Sequence, residues 1–402
     1  MQRRTFLKFC VAGTAFGTTR AFPDVHKAAT RQTLSFGLRS SEMSMVELKE
    51  TLTYAVSVPL EAAPVALRIG LANTTTAPYE VDGICCSQGD LDATAISDWV
   101  HLAPADATSD HAPRQFNVPG NRVPDVLSIV WSQWAQFHFA DGPGRPQVTF
   151  RVLVRPQSLP LVRAYAGDLG VAMTGSSPKV VREAYLVGDY VTDPLRPIGS
   201  LIKTPDSPLF VVQYRTMVPG IQIVVGGDSH LAGWDTFVQL AAIEVSRPMR
   251  PISVWNGARG GAPSRIFGPI LDEIIDDADP SIVVIQGWTA NDGMRPAADL
   301  AYLDRVHTWA SRILQKQGVP IIVKGLPRNL FGTPELRSWQ QVNERIETLV
   351  PGAVVFDPNV FVEDRGRPGN WKPEFSKDAV HPNLPGNLAL AAPFAKLLRS
   401  LV

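Results

Sequence analysis

From residue 216 onward the chain alternates short apolar runs with amphipathic stretches, and this alternation limits the possible folds more than any other feature. The first run, at 221–225, reads Ile-Gln-Ile-Val-Val. Comparable runs follow at 251–255, 281–286, 319–325 and 353–356. Helix-like periodicity fills the intervals at 234–244, 266–277, 299–317 and 338–349, and a closing helix is expected at 384–398. Short runs with little polar alternation suit strands buried on both faces. Such strands with helices between them call for a parallel sheet covered on both sides, an α/β architecture of five strands.

In open α/β sheets, ligands bind outside the carboxyl ends of the strands. The first strand is followed by Gly227-Asp228-Ser229-His230, and the second by Asn256-Gly257-Ala258-Arg259-Gly260-Gly261. After the third comes Gly287-Trp288-Thr289-Ala290-Asn291-Asp292, and before the last helix Asp378-Ala379-Val380-His381-Pro382-Asn383. This inventory suits acyl transfer. A serine hydroxyl is a weak nucleophile until a base takes its proton. His381 is the candidate base, and Asp378, three residues earlier, the group that orients it. An oxyanion needs preorganised donors. The backbone N–H groups of Ser229 and of a glycine in the 260–261 pair, with the Asn291 side-chain amide, are the candidates. Taken alone, Gly-Asp-Ser is equally an ordinary turn.

These four clusters resemble the blocks of the SGNH/GDSL hydrolases, which bear Ser, Gly, Asn and His in that order. Gly227-Asp228-Ser229 matches the first block, and Asn256 with Gly261 the second, Gly260 being the alternative. Asn291-Asp292 matches the third, and Asp378 with His381 the fourth. Two positions depart from the pattern: His230 stands where Leu or Ile is usual, and Thr289 where glycine is usual. The resemblance covers about 185 residues. It implies a flavodoxin-like sheet, hydrolysis of esters or thioesters, and no metal or other cofactor. On it the expected catalytic residues are Ser229, Asp378 and His381, and the expected oxyanion hole is Ser229, Gly261 and Asn291.

The first half reads differently. Runs at 51–58, 65–71, 128–139, 147–154 and 208–214 are strand-like, separated by Pro and Gly turns. They predict a β-rich domain over 30–215, sandwich-like or jelly-roll-like, ahead of the hydrolase-like domain at 216–402. Arg3-Arg4-Thr5-Phe6-Leu7-Lys8 followed by a short apolar stretch resembles a twin-arginine export signal, expected over 1–25. Cys85 and Cys86 are adjacent, which disfavours a disulfide between them, and are expected as buried thiols. The 38 basic and 38 acidic residues balance, which argues against a nucleic-acid partner held by bulk charge.

Several side chains have two readings. Trp234, Trp288 and Trp371 suit either stacking on a substrate or the core. Arg259, Arg265 and Arg295 suit an anionic substrate or solvated loops. His230 suits a pocket wall or a packing role, Asp292 the support of its loop, and Asp357 a reserve acid should Asp378 point away. His101, His111 and His138 show no ligand spacing, and His307, on the long helix, is expected at the surface or its boundary. The expectation is a periplasmic or secreted serine esterase without stable membrane insertion. Its expected substrate is an acylated small molecule or polysaccharide, with carbohydrate O-acetyl esters first. The alternatives are lipase-like or thioesterase activity on longer chains, or an inert glycan-binding protein.

Overall fold

The computed structural model describes residues 28–38, 43–89, 91, 99–106, 115–122, 127–136, 146–163, 182–195, 202–203, 206–208, 210–232 and 236–402. The expected export signal, Trp234, His111 and His138 lie outside these residues. Among the described residues no helix is long and apolar enough to cross a membrane.

A nine-stranded mixed sheet runs through the molecule. Its strands are β1 (Arg31–Leu38), β2 (Pro64–Asn73), β3 (Ser128–Trp131), β4 (Ala135–Gln136), β5 (Phe210–Gly226), β6 (Ile252–Asn256), β7 (Ile282–Gln286), β8 (Val319–Val323) and β9 (Val354–Phe356). The second half of β5 pairs in parallel with β6 on one side and β7 on the other, and β8 and β9 continue from β7. In the sheet these five strands stand in the order β6-β5-β7-β8-β9, the order of flavodoxin-like folds, in which the second strand lies outside the first. The helices are α1 (Phe237–Val245), α2 (Ser264–Ala278), α3 (Pro296–Gln315), α4 (Glu335–Leu349), α5 (Asn359–Val362) and α6 (Leu384–Leu401).

Residue parity assigns the two faces of the parallel sheet. Ile221, Ile223, Val225, Ile252, Val254, Ile282 and Val284 pack with Phe237, Leu390, Phe394 and Leu398 of α1 and α6. Val224, Trp255, Val283, Ile285 and Ile322 pack with Phe267, Ile274, Trp309 and Ile346 of α2, α3 and α4. Apolar side chains therefore face both layers, which is why these strands read as unbroken apolar runs.

The runs expected as separate strands at 208–214 and 221–225 belong to one strand, β5. It passes without a break through residue 216, the expected domain boundary. Its first half pairs antiparallel with β1 and β2, and the β2 ladder ends at Thr216. Its second half begins parallel pairing at Ile221. Pro219, which lacks an N–H, lies past the end of the β2 ladder and in the irregular stretch of the β1 ladder between Arg215 and Gly220, where a missing donor costs least. At Gly220 a Cβ would lie 2.5 Å from the Pro251 carbonyl oxygen, so glycine is needed for close approach.

A second, six-stranded sheet contains Leu52–Pro59, Gly83–Gln88, Val100–Leu102, Gln147–Val154, Arg182–Val187 and Ile202–Lys203. Its Tyr54, Val56, Val58, Phe150 and Val152 pack against Leu34, Leu67, Ile69, Leu71, Val212 and Tyr214 of the central sheet. The layer facing this β-rich sheet is thus the antiparallel extension of the same sheet that carries the parallel strands. β5 is long enough to serve both cores, and alternation of its side chains supplies an apolar face to each. Cys85 and Cys86 are buried and unbridged. Burial pushes the Cys86 thiol well up, as it disfavours the thiolate.

Candidate active site

Four loops meet at the carboxyl end of the parallel strands, those after β5, β6 and β7 and the one leading into α6. The chain moves from β5 to β6 on one side and then to β7 on the other, and a crevice forms where such a sheet changes direction. Neither Gly226 nor Gly227, at the end of β5, has a positive φ. Their small size is required by packing instead. A Cβ on Gly226 would lie 2.6 Å from Leu271 Cδ2, and one on Gly227 would lie 2.6 Å from Gln286 Oε1. The same Gln286 oxygen accepts the Asp228 N–H at 2.9 Å, anchoring the turn to the neighbouring strand.

Ser229 Oγ stands 2.8 Å from His381 Nε2, and His381 Nδ1 stands 2.6 Å from Asp378 Oδ2. The other Asp378 oxygen accepts the backbone N–H groups of Val380 at 2.9 Å and His381 at 2.7 Å. Ala379, between them, has φ 61°, a left-handed conformation rare outside glycine and sometimes held at functional sites. The slight burial of Asp378 acts to raise its pKa. The hydrogen bonds from the His381 ring and from the His381 and Val380 amides outweigh this and hold the carboxyl well below the usual carboxylate range. An ionised Asp378 fixes the proton on His381 Nδ1, which leaves Nε2 free to accept the Ser229 hydroxyl hydrogen. Side-chain exposure is 44% for His381 and 54% for Asp378, so this part of the site opens to solvent.

Asp357, the reserve acid, is committed elsewhere. It binds Lys324 Nζ at 2.8 Å, and Glu347 binds the same ammonium at 2.7 Å. Gly261 has φ 69°, with no heavy atom within 4 Å of the place a Cβ would take. Gly260 is not among the positive-φ glycines. The Asn291 amide hydrogens point to Asp228 Oδ2 and to the Ala262 carbonyl, both at 3.3 Å. Such long bonds are readily exchanged for a better acceptor. Asp292 accepts the Ser264 N–H at 2.8 Å and also binds the Ser264 hydroxyl and Arg305, tying the β7 loop to the start of α2.

Trp288 is buried, with Nε1–H on Asp299 at 3.1 Å; Trp371 is buried, with Nε1–H on the Val380 carbonyl at 3.2 Å. Both belong to the core reading. Arg259 is buried, Arg265 and Arg295 are exposed, and His307 is on the surface.

Beneath the Ser229 turn lies a feature that the sequence reading did not assemble. Asp228 is fully buried. Its Oδ1 accepts the His230 N–H at 2.9 Å and faces His230 Nδ1 at 3.0 Å. Its Oδ2 accepts the Thr289 hydroxyl at 2.5 Å. The two positions that depart from the family pattern, His230 and Thr289, therefore converge on one carboxylate. Burial pushes the Asp228 pKa up. The His230 charge, its two hydrogen bonds and that from Thr289 overcome burial and bring the value down to about 2. A carboxyl with pKa 3.8 in the unfolded chain and about 2 in the folded one leaves the unfolded state binding more protons between those values. Stability carried by Asp228 is then complete above pH ~4 and falls by about 2 kcal/mol as pH drops through ~2. Thermal unfolding midpoints measured across this range should decline with acid, and the decline should be shallower in Asp228→Asn.

No protein-family model matches the sequence, and no curated protein matches it. Part of the chain is similar in structure to solved GDSL-type hydrolases and esterases. A GDSL-like lipase from Bacteroides thetaiotaomicron is 18% identical, with 45% of this chain and 88% of that chain covered and a TM-score of 0.37. An acetylxylan esterase from Geobacillus stearothermophilus is 17% identical, with 44% and 94% covered and a TM-score of 0.35. A psychrotrophic esterase from Pseudoalteromonas sp. is 16% identical, with 44% and 96% covered and a TM-score of 0.34.

Proposed function

We propose that the protein is a serine ester hydrolase. The observation that carries this reading is the unbroken hydrogen-bonded sequence from Ser229 Oγ through His381 to Asp378 at the carboxyl end of the sheet. Ser229 Oγ attacks the ester carbonyl carbon while His381 Nε2 takes its proton. The tetrahedral oxyanion is held by the backbone N–H groups of Ser229 and Gly261 and by the Asn291 amide, released from its long bonds. Collapse breaks the bond to the alcohol, which leaves with the proton from His381. Water, activated by the same imidazole, then hydrolyses the acyl-enzyme and regenerates Ser229.

The substrate proposed is a short acyl ester on a carbohydrate, met outside the cytoplasm. The exposure of His381 and Asp378 supports it, because an open site can reach an ester displayed on a large polar molecule. The Arg3-Arg4 segment supports export. The test is a fluorophosphonate label, which reacts with a serine activated as a nucleophile and hardly at all with an ordinary one. One equivalent should bind, and peptide mapping should find it on Ser229. An unlabelled protein would end the enzyme reading and favour glycan binding alone. With p-nitrophenyl esters, turnover should fall from acetate to longer chains, and acetylated polysaccharides should release acetate.

A further inference from the structure

We propose that His230 is a positioning residue, a buried imidazolium that holds the His381 loop in register with the Ser229 turn; this rests on the acyl-transfer reading above. His230 is 2% exposed. Its Nδ1 lies 3.0 Å from Asp228 Oδ1, and its Nε2 lies 2.9 Å from the Val380 carbonyl oxygen. A carboxylate and a carbonyl only accept hydrogen bonds. A ring nitrogen without a hydrogen would set its lone pair against an oxygen lone pair at either contact. Both nitrogens therefore carry hydrogens, and the ring is a cation paired with Asp228. His381 differs, since its Nε2 faces a hydroxyl that can donate. The two rings lie side by side, with centroids 5.6 Å apart.

The connection matters because of where it ends. Val380 immediately precedes His381, and His230 immediately follows Ser229. One side chain thus links the turn carrying the nucleophile to the loop carrying the base, and these residues are otherwise 152 positions apart in sequence. The Trp371 indole N–H gives the Val380 carbonyl its second hydrogen bond. Thr289 and Asn291 hold the far side of Asp228, so the β7 loop joins the same assembly. An aliphatic residue at 230 could fill space but could not reach across to Val380. The hydroxyl of Thr289, absent from a glycine, is what gives the buried carboxylate its additional donor.

Two amide variants separate the two bonds. His230→Gln can keep a donor near Nε2, toward Val380, while His230→Asn can keep one near Nδ1, toward Asp228. Both lose the positive charge. With p-nitrophenyl acetate, His230→Gln should keep kcat within about fivefold of wild type, while His230→Asn should lose about 10²-fold in kcat with KM little changed, since a small misplacement of a base costs that much. Equal kcat losses in the two variants, in step with their thermal stabilities, would reduce His230 to a packing role and overturn the proposal. So would wild-type kcat in both. Should neither variant fold, nitrogen-15 spectra of the wild-type imidazoles decide: two protonated nitrogens on His230 at neutral pH support the clamp, and one bare nitrogen overturns it. If wild type itself neither labels at Ser229 nor turns over ester, the acyl-transfer reading fails, and the spectra still settle the state of the ring.

Discussion

Ser229→Ala should lower ester turnover by about 10⁶-fold, the scale on which nucleophile removal acts in enzymes whose serine, histidine and aspartate work as a unit. Without Oγ there is no acyl-enzyme, and His381 has no hydroxyl to deprotonate. A residual rate above the uncatalysed one is expected from the oxyanion donors alone. Folding should be little affected. Ser229 is only partly buried, and the bond it loses is the one to His381. Steady-state hydrolysis of p-nitrophenyl acetate, with circular dichroism on the same samples, measures both quantities. Retention of most activity would mean that another group attacks the ester.

Asp378→Asn should reduce kcat by about 10²–10⁴-fold, the upper figure being that of a buried triad aspartate. Asp378 Oδ2 accepts the hydrogen of His381 Nδ1. An asparagine amide can present its NH2 group there and stabilise the tautomer with hydrogen on Nε2. That tautomer cannot accept a proton from Ser229. The exposure of the pair lowers the expected loss, because water can substitute in part for the carboxylate. Asp357→Asn is the matching control. Asp357 holds Lys324, whose side chain is only 8% exposed and which keeps Glu347 as its remaining partner. That substitution should leave kcat near wild type and cost about 1–3 kcal/mol of stability through the weakened charged hydrogen bond. A large kcat loss in Asp357→Asn with none in Asp378→Asn would reverse the assignment of the acid.

The buried parallel strands could be read from the chain because burial on both faces leaves little room for polar residues. Runs such as 281–286 and 319–325 announce themselves without any knowledge of their neighbours. The candidate triad could be read for a related reason. A parallel sheet directs the carboxyl ends of its strands to one side, so residues after successive strands become neighbours whatever their separation in sequence. The helix ends were less legible. The helix expected to begin at 299 begins at Pro296, since proline is well suited to a first turn but looks like a breaker in a sequence. The Trp288 and Trp371 side chains could not be assigned from the sequence, because a large aromatic near a site loop suits core and pocket equally well. Their indole N–H partners, Asp299 and the Val380 carbonyl, decided it.

The sequence by itself determined which strands are buried, which loops share an end of the sheet, and which serine, histidine and carboxylate types are available there. These follow from local periodicity and from the direction of parallel strands. Only the tertiary structure decided that β5 serves both the β-rich core and the α/β core, because strand pairing depends on partners from distant parts of the chain. Only the tertiary structure separated Asp378 from Asp357, since both are carboxylates beside the same end of the sheet and differ in their partners, the His381 imidazole for Asp378 and the Lys324 ammonium for Asp357. And only the tertiary structure joined His230 to Asp228, Thr289 and Val380. Read along the chain, His230 and Thr289 are two unrelated departures from a family pattern. In three dimensions they satisfy one buried carboxylate, and a buried charge must find its donors wherever the fold brings them.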